Sequence, residues 1–186
     1  MANRQKLAQI IGERLSFVGI EWASKKVRML DYACGPGFLN KIFAQHVSSI
    51  KAVDAAPEMM DTYKTNFDSF GIAPEKVESA VGSLLSEPSS LAGEEYQGFD
   101  LVTVGAALHH FPSAADAVRL LAGRPEPGGV LCTQDLHTSY DKHRAAESNG
   151  GGKRPYGSEE ADVRGFMQKG RGVRFQIRET GWGVGD

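Results

Sequence analysis

Residues 27–38, Val-Arg-Met-Leu-Asp-Tyr-Ala-Cys-Gly-Pro-Gly-Phe, constrain the fold of this chain more than any other stretch. Val27, Met29 and Leu30 make a short apolar run that closes on Asp31, and Gly35 and Gly37 flank Pro36 directly after it. Glycine lets the backbone turn sharply and leaves no Cβ in the way of a ligand. The helix expected next begins with free N–H groups, which suit an electron-rich ligand group. Strand, glycine turn and helix in that order predict a nucleotide-type site at the carboxyl edge of a parallel sheet.

The rest of the chain repeats this alternation. Residues 3–19 place Leu7, Ile10, Ile11, Leu15 and Val18 at three- and four-residue steps, which predicts an amphipathic helix covering one sheet face. Phe38, Leu39, Ile42 and Phe43 share a helix face after the glycine turn. Ser49–Asp54 reads as a second strand. Pro57 and Glu58 then open a helix with Met59, Tyr63, Phe67 and Phe70 as its buried stripe and Gly71 at its end. Residues 76–81 read as a third strand leading to Gly82, Ser83 and Leu84, and 86–98 as a loop. Phe99–Gly105 is the clearest strand and runs into Ala106, Ala107, Leu108, His109, His110 and Phe111. Pro112 starts a helix with Ala115, Val118 and Leu121 inward, and Pro127-Gly128-Gly129 reads as a turn before a fifth strand at 130–136. Beyond residue 139 the signals weaken: a glycine loop at 148–152, a helix capped by Ser158 and a sixth strand at 173–178. The pattern predicts one α/β domain over 1–186, an open, mostly parallel sheet with helices on both faces, with its core at 24–136 and a weakly ordered segment at 139–186.

Composition narrows the function classes. A formal net charge of −2 argues against a general nucleic-acid or membrane-surface binder. No apolar run approaches the ~20 residues of a membrane helix. The first residues lack a signal-peptide core, so the cytosol is the expected compartment. Cys34 and Cys132 fall in different strand-linked elements and read as free thiols, Cys34 as a small packed residue rather than a nucleophile. His46, His137 and His143 are scattered, and neither cysteine has a partner at zinc spacing, so no metal is expected.

Four signals close consecutive strands: Asp31 with Gly35 and Gly37, then Asp54, then Gly82-Ser83, then 105–110. Ligands of open parallel sheets bind outside the carboxyl ends of strands, so one ligand can touch all four. Asp54, nineteen positions after Gly35, stands where an acid accepts both hydroxyls of a ribose. The third glycine of the pyrophosphate fingerprint is absent, and Asp31 before the turn repels a pyrophosphate but attracts a cation. A ligand with a ribose and a positive centre but no phosphate is S-adenosylmethionine.

Leu-Asp-Tyr-Ala-Cys-Gly-Pro-Gly-Phe-Leu (30–39) resembles the first motif of the class I S-adenosylmethionine-dependent methyltransferases, and Lys-Ala-Val-Asp-Ala-Ala-Pro-Glu-Met-Met (51–60) the second. Residues 99–111 resemble the fourth motif, and Arg-Pro-Glu-Pro-Gly-Gly-Val-Leu (124–131) the turn before the fifth strand. With Trp22 ahead of the first strand, the chain is most similar to small fungal methyltransferases of the type 11/12 kind. The resemblance implies the Rossmann-like fold of that family, S-adenosylmethionine as cofactor, and methyl transfer to O, N or S of a small-molecule acceptor. It implies no nucleic acid and no membrane as partner, and a homo-oligomer is compatible with it.

By the same resemblance Asp31, Ala33, Cys34, Gly35 and Gly37 line the methionine end and Asp54 holds the ribose diol. Ala55 and Met59 press on the adenine, Gly82, Ser83 and Leu84 meet its edge, and Ala106 and Leu108 lie beneath the reacting methyl. Ser83 replaces the family's usual acid, and both ends are shorter than the family pattern, as in a truncated chain. His109 and His110 are the titratable pair at the ligand edge and the candidate general bases, although a purely structural pair fits the pattern as well. Two other readings remain open: a methyltransferase fold that binds without catalysis, and an NAD-dependent reductase.

Overall fold

A computed structural model describes residues 5, 8–9, 11–13, 15–23, 26–86, 89 and 91–135. Five strands, β1 (Arg28–Tyr32), β2 (Ser49–Asp54), β3 (Val77–Val81), β4 (Phe99–Gly105) and β5 (Pro125–Gln134), form one sheet in the order β3-β2-β1-β4-β5. Every pairing is parallel. The chain runs outward one way from β1 and then restarts at β4, so a topological switch lies between β1 and β4.

The central strands β1, β2 and β4 are buried along nearly their whole length because both sheet faces are covered there, whereas the edge strand β3 is only partly covered. Met29, Ile50, Ala52 and Leu101 enter one core layer together with helix α1 (Phe38–Phe43) and helix α2 (Pro57–Thr65). Leu30, Tyr32, Val53, Val102 and Val104 enter the other, against helix α4 (Ala114–Leu121). Ser113 caps α4 by accepting a hydrogen bond from the Asp116 N–H at 3.2 Å. Ala117, Val118 and Leu121 face inward, and Ala115 is only half-buried. Residues 94–96 make a single 3-10 turn in the loop before β4.

Several boundaries differ from the sequence reading. The N-terminal helix does not run to residue 19: Gln5, Ala8, Gln9, Ile11 and Gly12 are helical, and Leu15–Val18 is a 3-10 turn. The expected single helix at 57–70 is two, α2 and α3 (Phe67–Phe70), because Asn66 leaves the helix and donates its side-chain N–H to the Pro36 carbonyl at 2.9 Å. Beginning α2 at Pro57 turns Met60 and Tyr63 inward and leaves Met59 42% exposed. Pro74–Lys76 forms a 3-10 turn, so β3 opens at Val77.

The fifth strand spans Pro125–Gln134 rather than 130–136. The Pro-Gly-Gly run lies inside it, at the register irregularity between Phe99 and Leu101. Gly129 is there for close approach, since a Cβ would stand 2.7 Å from the Phe99 carbonyl oxygen. The loop at 148–152, the helix after Ser158 and the strand at 173–178 lie outside the described residues.

Gly37 joins the turn to the core. Its φ is +89°, and a Cβ there would meet the Tyr63 ring at 2.9 Å and Phe70 at 3.1 Å. Gly37→Ala is therefore expected to cost about 2–4 kcal/mol, the sum of a left-handed backbone penalty and overpacking. Gly128→Ala, at φ +87° with nothing within 4 Å, should cost only the backbone part. Urea midpoints at unchanged slope measure both, and equal losses would show that the Tyr63 clash is absent.

Candidate functional site

The carboxyl tips of β1, β2 and β3 are tied together by backbone and by one carboxylate. The Cys34 N–H donates to the Val53 carbonyl at 3.0 Å, and the Gly82 N–H to the Asp54 carbonyl at 2.9 Å. Asp54 Oδ2 accepts from the Gly35 N–H at 2.8 Å, and Oδ1 from the Ala56 N–H at 2.9 Å. Each oxygen keeps a second lone pair for a ligand hydroxyl. Asp54 is half-buried at the edge, and Val81, its register partner on β3, is 50% exposed. Exposed Met59 stands on the first turn of α2, and Ala55 is exposed beside it.

Backbone conformation marks the same edge. Gly35 has φ +51°, and a Cβ there would meet nothing within 4 Å, which leaves room for close approach. Ala33 (φ 53°) and Ala106 (φ 52°) are the only non-glycine residues with positive φ among those described. They sit at the tips of β1 and β4, on either side of the switch point, and such outliers concentrate at ligand sites.

Asp31 lies beneath this surface rather than on it. It is 1% exposed, and its carboxylate accepts from Thr103 Oγ1 at 2.7 Å and from Asn40 Nδ2 at 2.5 Å. Burial pushes its carboxyl up to about 7, and the charge of Asp54 pushes the same way against the two hydrogen bonds. Cys34 is buried, with its Sγ 3.7 Å from the Met60 sulfur, and burial pushes its thiol far up, out of the range of a nucleophile.

At the third tip the Ser83 hydroxyl pairs with the Tyr32 hydroxyl at 3.0 Å and accepts from the Leu85 N–H at 3.1 Å. Leu84 and Leu108 send their side chains into the core, so a ligand at the edge meets backbone at those positions, whereas Ala106 is exposed. The structure thus brings Ala33, Gly35, Asp54, Ala55, Met59, Gly82, Ser83 and Ala106 to one edge. It sets Asp31, Cys34, Gly37, Leu84 and Leu108 behind them as support.

The two histidine rings lie against each other, centroids 4.0 Å apart, but their surroundings differ. His110 is exposed. His109 pairs through Nδ1 with Asp135 Oδ1 at 2.6 Å, their side chains 7% and 8% exposed, and its backbone N–H donates to Asp135 Oδ2 at 3.1 Å. Sequence reasoning missed Asp135, Asn40, Thr103 and Tyr32. Asn40 had a signal: it is a polar residue on the apolar stripe of Leu39, Ile42 and Phe43. Thr103 and Asp135 reach their partners only through strand pairing. Among the described residues no group of three or more His, Cys, Asp or Glu is placed to hold a metal ion, and no helix is long and apolar enough to cross a membrane.

The Asp31 environment carries a pH signature. A folded-state value of about 7 against 3.8 for an ordinary carboxyl means that the native protein binds more protons than the unfolded chain between those limits. The contribution is whole below about pH 4, is lost as the pH rises towards 7, and amounts to at most about 4 kcal/mol. Asp31→Asn should flatten this part of the stability profile in urea melts across that window. An unchanged slope would place the carboxylate in a more polar setting.

Residues 30–133 match the methyltransferase domain family. The ubiquinone biosynthesis O-methyltransferase of Xanthomonas axonopodis is 30% identical over 124 residues, 67% of this chain and 49% of that protein. The chain spans about half the length of such curated relatives. Bacillus subtilis YcgJ superposes with a TM-score of 0.54 at 25% identity, covering 68% of this chain and 51% of that one. The SAM-bound amino pentose methyltransferase CalS10 of Micromonospora echinaspora gives 0.54 at 20% identity, covering 74% and 52%. With its open parallel Rossmann-like sheet and a family match over more than half its length, the chain belongs to the methyltransferase domain family.

Proposed function

We propose that the carboxyl edge of the sheet binds S-adenosylmethionine and that the chain serves methyl transfer to a small-molecule acceptor. The observation that carries this reading is the Asp54 carboxylate, held on the Gly35 and Ala56 N–H groups beside an open Gly35. The residues fit the group. Asp54 retains lone pairs for a ribose diol, Met59 and Val81 offer apolar surface next to it for a purine, and Ala33 and Ala106 leave room at the switch point. The Asp54 carboxylate beside the turn favours a cationic over an anionic ligand end, with the buried Asp31 carboxyl beneath it.

When bound, S-adenosylmethionine supplies a methyl group on a sulfonium, already activated for in-line displacement. The protein's part is to orient the acceptor and exclude water. Oxygen, nitrogen and sulfur acceptors all suit such a site, and the O-methyltransferase name of the Xanthomonas relative favours oxygen.

A dinucleotide fits less well. The Gly35 N–H, which a phosphate would seek, is taken by Asp54, and the Gly37 N–H by the Cys34 carbonyl at 2.9 Å.

Calorimetry with S-adenosylhomocysteine is expected to give micromolar binding, near −8 kcal/mol. Asp54→Ala should weaken it by about 2–3 kcal/mol through loss of charge-assisted contacts. Gly35→Ala should weaken it further at the stability cost of the left-handed backbone alone, because a Cβ there, at φ +51°, meets no protein atom within 4 Å. Tighter binding of NADH than of S-adenosylhomocysteine would reverse the assignment.

A further inference from the structure

We infer that Ser83 sets the base preference of the site. Its hydroxyl is left with a proton to give and no lone pair to offer, so the cleft takes a 6-oxopurine nucleoside as readily as the 6-aminopurine of S-adenosylmethionine. The inference deepens the reading above and rests on it.

The direction of three hydrogen bonds at the tip of β3 decides this. Tyr32, 3% exposed, reaches there from β1. Its Oη lies 3.0 Å from Ser83 Oγ and accepts from the Leu84 N–H at 3.2 Å. Among the described residues Ser83 Oγ is the acceptor placed to take the phenol proton. A buried hydroxyl proton left without an acceptor is costly, so Tyr32 donates and Ser83 accepts. Ser83 Oγ accepts a second time, from the Leu85 N–H at 3.1 Å. A serine hydroxyl carries two lone pairs and one proton, and here both lone pairs are used. The Ser83 carbonyl is filled as well, by the Ser86 and Ser89 hydroxyls at 3.0 and 3.1 Å.

A ribose on Asp54 with its cationic end towards Gly35 and β1 sends the base the other way, over the edge strand β3. There exposed Val81 is followed by Gly82, whose N–H is held by the Asp54 carbonyl at 2.9 Å, and then by half-buried Ser83. The purine face rests on Met59 and Val81, and the purine edge meets Ser83. A 6-aminopurine presents the acceptor N1 beside the donor amino group. A 6-oxopurine presents the acceptor O6 beside the donor N1–H. Ser83 can serve N1 in the first and O6 in the second, and in each case the donor turns to water. A site rejects an analogue strongly when one of its own polar groups is left unpaired, and neither base leaves Ser83 unpaired.

Calorimetry with S-adenosylhomocysteine and S-inosylhomocysteine tests this without turnover. In the wild type the two dissociation constants should agree within about threefold. Ser83→Asp keeps an oxygen for Tyr32 and Leu85 and adds lone pairs for an amino group, so it should favour S-adenosylhomocysteine by about tenfold or more. Tyr32→Phe removes the phenol proton and frees a lone pair on Ser83, so it should move the ratio the same way from a buried position. Ser83→Ala should weaken both ligands by a similar factor and leave the ratio near one.

A wild-type preference of about tenfold or more for either nucleoside would overturn the inference. So would an unchanged ratio in Ser83→Asp or in a folded Tyr32→Phe. Binding of S-adenosylhomocysteine with S-inosylhomocysteine ignored strikes this inference alone, whereas binding of neither strikes the reading on which it rests.

Discussion

The arrangement at the ligand edge depends on one carboxylate gripping two backbone N–H groups. Asp54 holds the glycine turn of the neighbouring strand through Gly35 and the entry to its own helix through Ala56. Charge-assisted bonds of this kind contribute about 1.5–3 kcal/mol each, and here they set geometry as much as stability. The turn after β1 is left-handed at Gly35 and Gly37 and would otherwise sample many shapes. A single side chain on the adjacent strand selects the shape that leaves Gly35 open. Asp31 supplies the other half of the support, pinned from α1 by Asn40 and from β4 by Thr103. Burial raises the Asp31 carboxyl, and the charge of Asp54 adds to the rise because the two acids that organise the turn repel each other.

Much of this was legible in the chain because it was local. The runs Ser49–Asp54 and Phe99–Gly105 coincide with β2 and β4 as read, the second because a strand buried on both faces has little freedom in composition. The glycine turn and Asp54 were legible because their chemistry recurs at a fixed spacing. What failed was non-local. Gly128 and Gly129 have the composition of a turn, yet both sit inside β5, Gly129 because the β4 backbone at Phe99 passes too close for a side chain and Gly128 because its backbone is left-handed. Met59 and Met60 are equivalent in composition, and the helix start at Pro57 alone decides that Met60 is the buried one. Thr103 lies 72 residues from Asp31 and Asp135 lies 26 from His109, separations that only the sheet register closes.

The glycines and alanines of the edge divide by what surrounds them, a distinction their letters hide. Gly37 and Gly105 are packing positions, where a Cβ would strike Tyr63 at 2.9 Å and Leu39 at 2.8 Å. They let the helices settle onto the sheet and so set the floor of the cleft. Gly35 faces open space and sets its mouth. Ala33 and Ala106 accept a left-handed backbone that costs of order 1–3 kcal/mol each, a strain the surrounding pairing must hold in place. Cys34 is anchored on Val53 on one side, and Ala106 on Gln134 on the other. Strain placed on both sides of the switch point, and nowhere else among the described non-glycine residues, coincides with the cleft that the fold offers a ligand.

That coincidence matters because fold alone does not give function. A Rossmann-like sheet needs its carboxyl edge for any ligand, and this edge is chemically asymmetric. The β2 side of the switch carries the carboxylate and the exposed apolar groups Met59 and Val81. The β4 side carries the strained Ala106 and the clamped His109. A nucleoside with a cationic tail matches that division: sugar and base on one side, reacting group on the other. A symmetrical dinucleotide would need donors facing both phosphates, and the two glycine N–H groups best placed to supply them are already bonded within the turn. The turn has been closed against anions by the acid that holds it, so the preference for a positive ligand is built into the same contact that gives the edge its shape.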